Sequence, residues 1–237
     1  MSNIYSDKWF DVFLQAQSGD TTKQEVDFLA RHLPQPHYHT ILDLCCGNGR
    51  HARLLATTGY QVTAVDCSHK LIQEAAARSC KAISFETLDM RQLSELQGQF
   101  DAVINLWQSF GFFDEEENQE VLRQIRSKLL PRGRLILDVY HRGFFERHQG
   151  ERQLVILGTR VHEEKYVTNK RLQVILTYLD TGETDRFDWR VYDPDELGDE
   201  LQALGFRCKT RCTDFDEALL ATPERPRMQL VFEAVDG

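Results

Sequence analysis

The stretch Ile41–Asp66, ILDLCCGNGRHARLLATTGYQVTAVD, decides how the rest of the chain is read. An apolar run carrying one acid, Ile41-Leu42-Asp43-Leu44, enters the turn Cys45-Cys46-Gly47-Asn48-Gly49. Ala52, Leu55 and Ala56 then recur at helical spacing until Gly59, a residue type suited to a left-handed C-terminal position. Val62, Ala64 and Val65 form a second apolar strand that finishes at Asp66. Strand, glycine loop, helix and strand in this order make half of a nucleotide-binding α/β unit. Gly47 and Gly49 allow the backbone to turn tightly and a ligand to lie against bare peptide groups at a helix N-terminus. An acid at the end of the second strand is placed to accept hydrogen bonds from both hydroxyls of a ribose, a role that falls to Asp66.

Two ligand classes compete for this loop. Gly47-x-Gly49-x-x-Ala52 satisfies the dinucleotide pattern G-x-G-x-x-G/A, which on its own points to NAD(P) and an oxidoreductase. Asp43 separates the readings: a carboxylate just ahead of the loop repels a pyrophosphate but pairs with a ligand carrying an ammonium and a sulfonium. S-adenosylmethionine has both cations and no phosphate. The plainer role for Asp43 is to cap the loop by accepting from backbone N–H groups.

On these residues the chain resembles the class I, seven-stranded S-adenosylmethionine-dependent methyltransferases. Their pattern acid-x-Gly-x-Gly-x-Gly falls on Asp43, Cys45, Gly47 and Gly49, with Cys45 in place of the first glycine. Cys45-Cys46-Gly47-Asn48-Gly49-Arg50-His51 is similar to the C-C-G-x-G-R-H of a subgroup of small bacterial-type methyltransferases. The resemblance implies a doubly wound, seven-stranded, mostly parallel α/β sheet with its last strand antiparallel and helices on both faces. It also implies S-adenosylmethionine as cofactor and S-adenosylhomocysteine as product. The cofactor-binding residues it indicates are Tyr5, Trp9, Asp43, Cys45, Gly47, Gly49, Arg50, Asp66, Cys67, Asp89, Met90 and Leu106. Asp89 stands just past a short strand near Ala82–Thr87, where the family has an acid that holds the adenine amino group; a loop-capping aspartate is the plainer alternative.

The 237 residues suffice for one large domain with a sizeable core, and 41% hydrophobic content fits an ordinary globular protein. A net charge of −9 argues against wrapping nucleic acid, so a small-molecule partner is expected. No apolar segment approaches the ~20 residues of a membrane span, and residues 1–11 lack the basic and apolar regions of a signal peptide, so no membrane association and a cytoplasmic location are expected. The six cysteines are too few and too scattered for a disulfide framework. Cys208 and Cys212, expected on one face of a strand but well apart, have no second Cys/His pair, and no metal is expected.

Outward from the loop, residues 1–36 are read as an N-terminal helical cap. Its aromatic Tyr5-to-Phe13 segment and a helix from Thr22 to His32 precede the break at Pro34-x-Pro36. Residues 37–150 and 191–237 form the cofactor-binding core. Phe100–Leu106 is a buried strand opening onto Trp107-Gln108-Ser109-Phe110-Gly111-Phe112-Phe113, similar to the S-F-G-Y-F of the same subgroup with Phe112 replacing tyrosine. Ligands of open α/β sheets bind at such strand ends, which makes Gln108 and Phe112 candidates to face substrate. Residues 151–190 switch to alternating strands, QLVILGTRV, RLQVILTYL and TDRFDWRVY, and are read as an inserted antiparallel sheet over the site, or a dimer surface. Monomer and homodimer both fit.

Methyl transfer from a sulfonium is an in-line displacement that depends mainly on orientation. An amine nucleophile needs little else, whereas a hydroxyl or carbon nucleophile calls for a base. His141, with Tyr140 or Tyr192, occupies the right strand end for that role. Arg190 with Tyr192 is placed to bind an acidic substrate group, or Arg190 pairs with nearby acids. The composite expectation is a methyltransferase acting on an N or O nucleophile of a small molecule. An NAD(P)-dependent oxidoreductase and a non-catalytic binder of S-adenosylmethionine or S-adenosylhomocysteine are the alternatives.

Overall fold

A computed structural model describes residues 6–14, 19–78 and 80–235. A short helix α1 (Asp7–Trp9) runs into a π-helical turn, Phe10–Leu14, and is followed by α2 (Gly19–His32). The central unit then alternates as the loop predicted: β1 (Thr40–Leu44), α3 (Arg50–Thr57), β2 (Gln61–Asp66), α4 (His69–Ala76), β3 (Ile83–Thr87), a 3-10 turn at Met90–Glu95 and β4 (Phe100–Asn105). After these come α5 (Glu115–Lys128), β5 (Leu129–Tyr140) and α6 (Arg142–Arg147). The alternation has local causes. Gly59, at φ +100°, follows α3 where a left-handed residue ends a helix. Ser68 and Asp114 accept from backbone N–H groups at the starts of α4 and α5, and three glutamates fill the first turn of α5 where the helix dipole favours them.

The inserted unit comprises β6 (Gly150–Ile156), β7 (Thr159–Thr168), β8 (Arg171–Tyr178) and β9 (Thr184–Arg190), an antiparallel sheet in sequential order. It has four strands, not three. The run QLVILGTRV breaks at Leu157 and Gly158, whose φ values of +47° and +82° turn β6 back on β7. The chain then returns to the main sheet through α7 (Pro194–Ala203), β10 (Phe206–Thr213), β11 (Asp216–Leu220) and β12 (Arg227–Ala234).

The main sheet has eight strands, in the order β11-β10-β12-β5-β4-β1-β2-β3, which corrects the expectation of seven. The additional strand, β11, is an edge ribbon exposed at every residue, so its sequence carries no apolar alternation to announce it. β12 lies antiparallel to both β5 and β10, while β5, β4, β1, β2 and β3 run parallel. A register shift between Cys208 and Thr210 puts Cys208 against the core on one side of the sheet and Cys212 in the core on the other, so the two do not share a face.

Apolar cores fill both sides. α5 and α7 bury Val121, Leu122, Ile125, Leu197 and Leu201 on one face, while α2 and α3 bury Phe28, Leu29, Leu33, Ala52 and Leu55 on the other. A third core lies under the inserted sheet, where Val12 of the N-terminal segment joins Val161, Leu172, Leu176 and Phe187. α2 is therefore part of the main body, and among the described residues ahead of it 6–14 rest on the inserted sheet. None of the described helices is long and apolar enough to cross a membrane.

Candidate active site

The C-terminal ends of β1, β2, β4 and β5 open into a cleft of about 1610 Å³ that runs from the glycine loop to the inner face of the inserted sheet. The loop itself is shaped by three left-handed residues, Cys45 at φ +63°, Gly47 at +56° and Gly49 at +72°. The two glycines are needed for different reasons. A Cβ at Gly49 would stand 2.7 Å from the Phe85 ring of β3, whereas one at Gly47 would meet nothing within 4 Å and would project into open space at the cleft wall. Asp66 holds the loop from below, accepting from Gly47 N and Ser68 N at 2.9 Å each. Burial raises its pKa, and those two N–H groups oppose the rise.

Two buried atoms, one on an acid and one on a base, stand at this loop without partners among the described residues. Asp43 is 2% exposed, and its Oδ2 has no hydrogen-bond partner among the described residues. Burial pushes its carboxyl up to about 7, against the pull of the Arg50 guanidinium. Arg50 Nη1 bonds Thr22 Oγ1 and pairs with Glu25 Oε2 at 2.8 Å, and the guanidinium lies 4.7 Å over the Trp107 ring. Its Nη2 is buried and likewise unpartnered among the described residues. A buried polar atom left unsatisfied costs roughly 1–3 kcal/mol, more if charged. A free carboxylate oxygen beside a free guanidinium nitrogen fits a zwitterionic amino-acid group, ammonium on Asp43 and carboxylate on Arg50.

A second polar layer, absent from the sequence reading, holds these residues. Glu25, 1% exposed, bonds His51 Nε2 at 2.7 Å through Oε2 and accepts from Trp107 Nε1 at 2.7 Å through Oε1. Burial opposes ionisation of Glu25, but the His51, Arg50 and Trp107 donors outweigh it and its pKa falls below the ordinary value. Burial also lowers the pKa of His51, against the pull of Glu25, so both shifts favour a neutral imidazole donating to a carboxylate. On β5, fully buried Asp138 accepts from Trp107 N at 2.9 Å, Gln229 Nε2 at 2.8 Å and the Arg227 guanidinium, which itself lies 4.3 Å over Trp107. Trp107 and Gln108 are thus fixed at φ +62° and +57°, a conformation non-glycine residues adopt only when held. Glu25 sits on a helix 82 residues from Trp107, and no local pattern marks such a pair.

Of the residues expected at the cofactor, Trp9, Asp43, Cys45, Gly47, Arg50, Asp66, Cys67, Asp89, Met90 and Leu106 all line the cleft. Gly49 lies behind the wall against Phe85, and Tyr5 falls outside the described residues. Asp89 caps the 3-10 turn: Oδ1 accepts from Arg91 N and Nε, and Oδ2 from Arg91 Nη2 at 2.7 Å. That pairing holds its carboxyl below the usual range.

The expected substrate residues divide. Phe112, Gln108 and Tyr140 line the cleft, but the Gln108 amide is taken up by backbone, donating to Phe110 O at 2.9 Å and accepting from Tyr140 N. His141, Arg190 and Tyr192 are not in its walls. His141 Nδ1 accepts from Gly143 N and caps α6. Arg190 is 7% exposed and pairs with Glu196 Oε1 at 2.5 Å and Glu115 Oε2 at 3.5 Å, the ion-pair alternative raised for it above. Tyr192 stacks on Phe110 at 5.5 Å under the Arg190 guanidinium. His141 lies where the chain leaves the core for the insert, and Arg190 and Tyr192 where it returns; the two crossings are tied by a His141–Tyr192 bridge and by Arg142 N to Tyr192 O at 2.8 Å, and Arg190 N bonds Gly111 O at 2.7 Å. Among the described residues no cluster of three or more His, Cys, Asp or Glu is arranged to hold a metal ion.

Fold and loop together are similar to those of class I, Rossmann-like methyltransferase domains. A family model described as a methyltransferase domain matches residues 41–133. The Bacillus subtilis (strain 168) protein YqeM is 33% identical over 108 residues, 44% of each chain. A glycine/sarcosine N-methyltransferase from Halorhodospira halochloris is 31% identical over 139 residues, 56% of this chain and 51% of that one. The chain spans about half the length or less of these curated relatives. In three dimensions the likeness is wider: a S-adenosylmethionine-dependent methyltransferase from Clostridium acetobutylicum ATCC 824 superposes with a TM-score of 0.78 at 16% identity, over 96% of both chains.

Proposed function

We propose that this protein transfers a methyl group from S-adenosylmethionine to an N or O nucleophile of a small molecule. The observation that carries the reading is the pair of buried, unpartnered groups at the glycine loop, Asp43 Oδ2 and Arg50 Nη2. They match the amino-acid end of S-adenosylmethionine, and a dinucleotide would set its pyrophosphate against the Asp43 carboxylate. Bound at the loop, the sulfonium compound supplies an electrophilic methyl carbon. The protein's own residues do the positioning: Asp43 and Arg50 take the zwitterion, Asp66 the ribose, and Asp89 with Met90 the adenine. Residues 6–14 and the insert at 151–190 cover the acceptor side, and α2 with 37–150 and 191–237 forms the body. Holding two reactants in near-attack geometry is worth ~7 kcal/mol or more, which suffices for an amine. For a hydroxyl acceptor, His51, backed by Glu25, and Tyr140 are candidate bases in the cleft wall.

Calorimetry with S-adenosylhomocysteine and NADH tests the donor. Binding of the thioether without binding of NADH is expected, and the reverse result would sink the reading. Incubation with methyl-labelled donor and a metabolite extract tests turnover: no labelled product despite tight thioether binding would make the protein a binder rather than an enzyme.

A further inference from the structure

Resting on the methyltransferase reading, we infer that the acceptor is a large, mainly aromatic or polycyclic molecule carrying a carbonyl-type oxygen that accepts a hydrogen bond from Trp189 Nε1, not an amino acid.

Three observations converge. The cleft, about 1610 Å³, exceeds the roughly 300–1,000 Å³ that encloses one drug-sized ligand, so room for a second molecule of that size remains beside the cofactor. Part of the wall of the remaining space, on β8, β9 and α6, is apolar and aromatic, flanked by the charged residues Arg147, Glu163, Lys165, Arg171 and Asp188. Alternation along the inserted sheet turns Leu172, Val174, Leu176, Phe187 and Trp189 inward, and Phe112, Tyr140, Phe144 and Phe145 face them from the core. Within this wall Trp189 is 6% exposed, with its Nε1–H buried and without a hydrogen-bond partner among the described residues. A buried indole N–H normally has a partner. Phe187 stacks on the Trp189 ring at 5.1 Å and Tyr140 meets it edge-on at 5.8 Å, which fixes the indole in place and offers at most a weak N–H···π contact.

The chemistry follows from these surfaces. An acceptor the size of glycine would leave most of the aromatic wall and the Trp189 donor uncovered. A flat ring system covers the wall, and one oxygen in its plane reaches the N–H. Sites built to hydrogen-bond a ligand oxygen discriminate against analogues lacking it, because the donor is then left unpaired.

The test uses full-length protein loaded with S-adenosylhomocysteine and two probes, 2,6-dihydroxyanthraquinone and 2,6-dihydroxyanthracene, which differ in the ring carbonyls. Calorimetry on the wild type and on Trp189→Phe measures each probe, with thioether affinity as the check on folding. Expected is wild-type binding of the anthraquinone that weakens about fivefold in Trp189→Phe, while the anthracene and the thioether bind both forms alike. Val174→Arg, which places a charge in the wall, should abolish binding of both probes and spare the thioether. The inference is overturned if the anthraquinone fails to bind the loaded wild type, if Trp189→Phe binds both probes unchanged, or if millimolar glycine or sarcosine displaces them. Failure of the wild type to bind the thioether at all would instead overturn the donor reading beneath it.

Discussion

Replacing Asp43 by asparagine should make the ligand-free protein more stable and a worse binder of the cofactor. The carboxyl is buried at 2% exposure, and its pKa lies at about 7 against an ordinary 3.8. A shift of that size corresponds to ~4 kcal/mol. The sign follows from which state holds the proton more tightly. Because the folded pKa is the higher one, this stabilisation is complete below pH 3.8 and is lost as pH rises to about 7. Above that, ionised Asp43 burdens the empty fold by up to ~4 kcal/mol. Asparagine has nearly the same shape and no charge. Urea denaturation of the ligand-free proteins should therefore show Asp43→Asn more stable by a few kcal/mol at pH 8, with the gain shrinking steadily toward pH 4. Saturating S-adenosylhomocysteine, whose ammonium the proposed site sets against the ionised carboxylate, should stabilise the wild type far more than the variant. Wild-type affinity for the thioether should fall as pH drops through 7, while that of the variant stays flat over the same range. A variant less stable than wild type at pH 8, or a stability difference independent of pH, would refute the reasoning.

Arg50→Met should weaken S-adenosylhomocysteine at least tenfold in calorimetry yet leave methylthioadenosine, which lacks the amino-acid group, bound as before; equal losses for both would remove Arg50 from the site. Gly49→Ala should cost more stability than Gly47→Ala, because both take on the ~1 kcal/mol of a left-handed residue but only Gly49 also drives a methyl to 2.7 Å from Phe85. Urea midpoints in the wrong order would contradict that. His141→Ala should leave the pH profile of methyl transfer unchanged once an acceptor is known, since His141 caps α6 and is not in the cleft wall. Loss of a basic limb from that profile would restore it as a base.

What the chain discloses before folding follows the range of the interactions involved. The glycine loop and the caps at Ser68, Asp114 and Asp193 are local devices, each spending a few neighbouring residues on a backbone requirement, and the loop stands where its spacing placed it. β11 went unread because an edge ribbon exposed on every residue needs no apolar period, and the β6–β7 turn because Gly158 alone had to outweigh a continuous apolar run. His141, Arg190 and Tyr192 lie outside the cleft wall for a further reason. The end of a strand gives the neighbourhood of a site, but the direction of a side chain there depends on what the returning chain packs against it.

The same distinction separates donor from acceptor. The two free atoms at the loop, on Asp43 and Arg50, lie seven residues apart in one strand–loop–helix unit, so their juxtaposition is fixed by a structure the sequence shows openly. The Trp189 donor faces Phe112 and Tyr140, which reach it from different strand ends across the whole insert. No spacing rule links those positions, and substitutions in the insert can reshape that wall without disturbing the loop. On the proposed function, a fold of this kind can keep one methyl donor while changing its acceptor, and the residues to vary in order to change it are those of the inward face of β8 and β9, beginning with Val174 and Trp189.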